Sequence, residues 1–248
     1  MAAAKELKAQ NINVLYVCFN DNQANDLVSE LNIDHYNLVL QESVLTYLEM
    51  KIKSKSAASW ISDSSFFKAI FNMLPSLGDM ILLGQMIDLL ENDPTLHLVV
   101  DSPSSGHALA LFETTDLWFT IFKKGLLVDD IKRMQNFLND ENNLKVTIIT
   151  LPTQMSLEES SELKQKLEQK NIKNLNLIIN DAYSHNKELA NEDLPHFLNE
   201  KVRIEKNLIT QFTKDNPLPI VPHFLTDTMT ETIISINKWM EASDAALL

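Results

Sequence analysis

The sequence predicts an α/β protein with a mostly parallel sheet and helices on both faces. Three observations predict it. Apolar, β-branched runs of strand length alternate with helical segments along the whole chain. Those runs are continuously apolar rather than alternating, as strands buried on both faces are. No internal repeat and no linker interrupts the pattern, so residues 1–248 read as a single domain with a helical subregion at about 42–93.

The elements follow in order. Residues 2–10 are good helix formers. "INVLYVCF" (12–19) has the length and composition of a buried strand. "NDNQAND" (20–26) is polar and turn-like and leads into a helical "DLVSELN". "YNLVLQ" (36–41) reads as a second strand, and the chain from 42 to 93 is mostly helical with a break near Pro75. Within it, Met80, Leu83, Ile87 and Leu90 recur at helical spacing. "LHLVVD" (96–101) is a strand, 128–140 an amphipathic helix and "KVTIITLP" (145–152) a strand. The helix at 156–171 is expected to open on a Ser-x-x-Glu capping box at Ser156 and Glu159. "LNLIIND" (175–181) is a strand, "PLPIVPHF" (217–224) a short apolar segment, and 230–241 the last helix.

Composition narrows the function. A net charge of −13 without a basic block opposes nucleic acid or an anionic membrane as partner. Cys18 is the sole cysteine, which excludes a disulfide framework and a thiolate metal cluster. No run of about 18 uncharged apolar residues suggests an integral membrane protein, and no signal peptide is visible, so the expected location is cytoplasmic.

Ligands of an open parallel sheet bind beyond the carboxyl ends of its strands. Three strand ends here are polar: Asn20 with Asp21, Asp101, and Asn180 with Asp181. A carboxylate there suits a metal or a water near a phosphate, and equally suits a helix cap. After Asp101 comes "SPSSGH", where Gly106 and His107 form a pliable turn of the kind that senses a γ-phosphate. A dyad of Ser104 or Ser105 with His107 has no Gly-x-Ser-x-Gly elbow to support it. A dinucleotide-binding enzyme would require a glycine-rich turn that the chain does not have.

"VVDSPSSGHALALFE" resembles the second switch of the ArsA-like ATPases, the family of the arsenite-pump and tail-anchored-protein-targeting ATPases. "LPSLGDMILLGQMIDLLEND", "VTIITLPTQMSLEESSELKQKLEQKNIKNLNLIIND" and "LPIVPHF" resemble further parts of that family, in its order. The resemblance implies a P-loop NTPase-like fold of the deviant Walker type and ATP with Mg²⁺ as cofactors. It assigns Asp101 to Mg²⁺ through water, Gly106 and His107 to the γ-phosphate, Asn180 to the adenine, and Pro222 and His223 to the loop beside the base. Asn20 or Asp21 falls at the position that orients the attacking water, depending on a one-residue gap. It also implies a homodimer, or a heterodimer with a paralogue.

The family's first strand and its Gly-Lys-rich Walker A loop have no counterpart in this sequence. No glycine precedes Gly78, and no Gly-Lys pair occurs anywhere. The chain is therefore expected to be an N-terminally truncated ATPase, inactive alone. The alternative expectation is a non-catalytic paralogue subunit that scaffolds or regulates an intact partner. One cysteine cannot bind arsenite or build an intersubunit zinc site. The methionines of 42–93 fit either a groove for an apolar-helix client or ordinary core packing of Met73, Met80 and Met86.

Overall fold

The computed structural model describes residues 1–19, 24–74, 76–102, 105–121, 126–189 and 194–243. They divide into two compact units, the first essentially Ala3–Asp140 and the second Glu141–Leu248.

In the first unit, α1 (Ala2–Ala9) precedes β1 (Val14–Phe19), α2 (Ala24–Glu30) and β2 (His35–Leu38). Four helices follow: α3 (Leu40–Ile52), α4 (Lys55–Asp63), α5 (Ser65–Met73) and α6 (Leu77–Asn92). Then come β3 (His97–Val100), α7 (Ser105–Ile121) and α8 (Leu126–Asn139). The strands pair in parallel in the order β2-β1-β3, with Tyr16 opposite His35 on one side and Val99 on the other. Parallel neighbours need crossovers, and the intervening helices supply them. Val17 and Leu38 bury against Met80, Leu83, Met86 and Ile87 of α6, Trp118 of α7, and Ile131 and Met134 of α8. Gly84 lets α6 approach α8 closely: a Cβ there would stand 2.7 Å from the Met134 methyl.

The second unit contains β4 (Val146–Thr150), α9 (Gln154–Gln169), β5 (Leu175–Ala182), a 3₁₀ turn at Tyr183–His185, α10 (His196–Phe212), β6 (Ile220–Pro222) and α11 (Met229–Ala242). Its sheet is also parallel, in the order β4-β5-β6. Successive residues of a strand face opposite sides. Accordingly Ile179 packs with Leu157 of α9 and Ile209 of α10, while Ile178 packs with Val221 and the α11 residues Ile236, Trp239 and Met240. Helices thus cover both faces of this sheet, as expected for a parallel one.

Two elements differ from the expectation. Helix α9 opens two residues before Ser156: the Thr153 hydroxyl accepts the Ser156 amide at 3.3 Å, so Thr153, following Pro152, is the cap. The full capping box lies instead on α11, between Thr228 and Glu231. Helix α10 falls in the stretch between Asp181 and Pro217 for which the sequence raised no element. Its buried stripe is interrupted by Glu205, which weakens the apolar period that would have revealed it.

Candidate functional site

Each unit presents polar groups at the carboxyl ends of its strands. In the first, Asp101 directly follows β3, and its backbone amide still bonds to the Val17 carbonyl at 2.8 Å, so the strand pairing fixes where the side chain starts. The carboxylate is exposed and accepts a hydrogen bond from the hydroxyl of Tyr16, whose ring is buried in β1. Burial pulls the Met1 amino group, at the start of α1, below its ordinary value, and the nearby Asp101 charge opposes that fall. The start of α1 and the end of β3 therefore lie within electrostatic reach of one another.

Gly106 and His107 occupy the first turn of α7. Their side-chain surroundings, and Asn20, Asp21, Pro103 and Ser104, lie outside the described residues. Two turns further along, the Thr114 hydroxyl donates to the Ser76 carbonyl at 3.1 Å, where Ser76 caps α6 with a φ of 57°. Trp118, one turn beyond, is fully buried among α6 side chains. The helix that follows Asp101 is thus joined to α6 by a hydrogen bond and a core contact.

Of the three methionines weighed for a client groove, Met80 and Met86 are core residues and Met73 is exposed. On α4 and α5, Trp60 is 76% and Phe66 75% exposed.

In the second unit, Asn180 and Asp181 form a bulge: β5 pairs with β6 at Ile179 and Ala182 but shifts register between them. Asp181 has a φ of 62°, in the left-handed region. Bulges re-aim side chains at the rims of sheets. The Asn180 amide is half-buried and makes no side-chain hydrogen bond among the described residues. Asp181 holds Nδ1 of His223 at 2.7 Å. The His223 ring stacks on Tyr183, with centroids 3.9 Å apart and planes tilted by 11°. The Lys201 ammonium sits 3.4 Å from the centroid of the Tyr183 ring. Since His223 occupies one face of that ring, Lys201 must occupy the other. Glu205, one turn along α10 from Lys201, is 3% exposed and accepts the Ser184 amide at 2.7 Å. Burial lowers the pKa of His185, and the Glu205 charge opposes this.

Among the described residues no three His, Cys, Asp or Glu side chains converge as a metal site. Asp101 has one carboxylate oxygen bonded to Tyr16, and its exposure fits a cation held at a distance through water. The Asn180 amide, without a side-chain partner among the described residues, offers a donor and an acceptor side by side, which fits the edge of an adenine.

Tyr16, Tyr183, Lys201 and Glu205 were not singled out from sequence. The readable signs were a tyrosine hydroxyl inside an otherwise apolar strand and a carboxylate inside the buried stripe of a helix.

Parallel sheets flanked by helices, with polar groups gathered at strand ends, form an α/β fold consistent with the P-loop NTPase-like class. Residues 125–227 are similar to the family of the anion-transporting ATPases. Asn180, Pro222 and His223 fall within the matched residues, whereas Asp101, Gly106 and His107 precede them. No curated protein sequence matches the chain at a significant level.

Proposed function

We propose that this chain is a nucleotide-responsive component of an ArsA-like ATPase. Asn180 recognises an adenine, with Pro222 and His223 beside the base. Asp101 serves the Mg²⁺ side through water, and Gly106 and His107 respond to the γ-phosphate. The observation that carries the reading is the Asn180 amide, unpartnered among the described residues, at the bulge that ends β5 within the family-matched segment. Bound Mg²⁺ would neutralise phosphate charge, and the residues here would orient it. The bond from Thr114 to Ser76 and the burial of Trp118 support a role for α7 in passing phosphate state to the helices around α6.

None of the 248 residues forms a Gly-Lys pair, so no lysine-bearing phosphate loop of the Walker type is encoded among them. The chain alone is therefore expected to contact the base of ATP without hydrolysing it. Dimerisation, with itself or with an intact paralogue, belongs to this reading. The missing Gly-Lys pair equally favours a second reading, a non-catalytic subunit that regulates such a paralogue. The exposed Trp60, Phe66 and Met73 suit an apolar-helix client.

Saturation-transfer NMR of the purified chain with ATP and with adenosine tests the proposal. Adenine protons should receive saturation from both ligands, Asn180→Ala should abolish it, and no phosphate should be released. Absence of any adenine signal would leave only the non-nucleotide scaffold. Steady phosphate release that Asp101→Ala abolishes would show that the chain needs no partner for hydrolysis.

A further inference from the structure

We propose that α10 is a clamp on the base-side turn, and that Lys201 and Glu205 are positioning residues that set the direction of the Asn180 amide. The inference rests on the adenine-site reading above and names the residues that would give that site its selectivity.

The end of β5 is not held by its own conformation. Asp181 occupies a left-handed φ that a non-glycine residue adopts at a cost of about 1 kcal/mol, and the strand loses register at the same place. Such a conformation persists when its surroundings over-determine it. On the β6 side, His223 supplies a ring for Tyr183 and an Nδ1 for Asp181. Asn186 adds a bond to the His223 carbonyl at 2.8 Å. On the other side stands α10, with two charged groups four residues apart on one helix face.

Glu205 is the more telling of the two. A buried carboxylate is unfavourable unless it is hydrogen-bonded, and a leucine or glutamine would fill the same helix position without that penalty. It accepts a hydrogen bond from the backbone amide of Ser184, the middle residue of the 3₁₀ turn. Lys201 caps the free face of Tyr183, completing an ordered stack of ammonium, phenol and imidazole. The clamp fixes Tyr183 and Ser184, and thereby the backbone three to four residues upstream, where Asn180 lies.

The predicted consequence is base selectivity. A fixed Asn amide pairs a donor and an acceptor with N7 and the 6-amino group of adenine. Inosine presents two acceptors at those positions and cannot satisfy the same orientation. A loosely held Asn180 would flip its amide and tolerate both.

The test uses the full 248-residue chain and two readouts on the wild type, Glu205→Ala, Glu205→Gln and Lys201→Met. Amide exchange at Ser184 should accelerate about tenfold in Glu205→Ala and return towards wild type in Glu205→Gln, which keeps an acceptor oxygen. Saturation-transfer NMR with adenosine and inosine should show a preference for adenosine in the wild type and in Glu205→Gln. That preference should disappear in Lys201→Met and Glu205→Ala. Retained preference in both of those variants, with adenosine still bound, overturns the clamp. If the wild type binds neither nucleoside, the adenine-site reading falls and the selectivity role with it. The exchange measurement then decides whether α10 still holds the turn. Should Glu205→Ala fail to fold, the Lys201→Met and Glu205→Gln pair carries the comparison, since neither buries a new unpaired charge.

Discussion

The phenol of Tyr16, buried in β1, donates its hydrogen bond to the carboxylate of Asp101, which lies in water just past the end of the neighbouring strand β3. The pairing of Tyr16 with Val99, two residues before Asp101, makes this reach possible. It gives Asp101 a defined direction without removing its exposure.

Asp101→Ala removes the acceptor of the Tyr16 hydroxyl and should lower stability by about 1 kcal/mol. Asp101→Asn keeps an acceptor oxygen and should lose less. Urea unfolding of both variants checks the order; equal midpoints would show that the bond adds nothing to stability.

Ser76 caps α6 with a φ of 57° and no side-chain capping bond, so its side chain is not used where its backbone is strained. Ser76→Gly should stabilise the chain by up to about 1 kcal/mol, since glycine adopts that region freely. Thr114→Val removes its bond to the Ser76 carbonyl, which keeps the Met80 amide at 3.1 Å, and should cost at most about 1 kcal/mol. Thermal unfolding of both variants would sink the idea if Ser76→Gly lowered the midpoint.

Tyr47 donates to Asp130 at 2.9 Å, and Lys51 bonds the same carboxylate at 2.6 Å. Burial pushes the Tyr47 phenol up from its ordinary value, and Asp130 adds to the rise. The folded state therefore keeps Tyr47 protonated where the unfolded state has lost its proton. This contribution is intact below about pH 10, the unperturbed tyrosine value, and declines as pH rises above it. The stability difference between wild type and Tyr47→Phe should narrow above that pH; a difference that stays flat to pH 11 contradicts it.

The position of the α9 cap separates two otherwise similar hydroxyls. Thr153→Ala should cost about 1 kcal/mol, and more than Ser156→Ala, because it is the Thr153 oxygen that accepts a helix amide. Chemical denaturation of the two variants reads this directly, and the reverse order would restore a cap at Ser156.

The strands, most helices and the strand-end residues Asp101, Asn180 and His223 were legible because they obey local rules: continuous apolar runs, helical spacing and a motif of adjacent residues. Helix α10 was not, since Glu205 stands where its apolar period requires a hydrophobic side chain. The cap of α9 was misplaced because Thr153 and Ser156 both precede helix-forming residues, and sequence alone does not choose between them.

The sequence by itself determined the alternation of strands and helices, the polar strand ends and the absence of a Gly-Lys pair. All of these are carried by residues adjacent along the chain. Only the tertiary structure decided that Tyr16 serves Asp101, that Thr114 reaches Ser76, and that Lys201 and Glu205 hold the turn beyond Asn180. Those contacts join residues 18 to 85 positions apart. Parallel register and helix packing bring such residues together, and no local pattern encodes which side chains then meet.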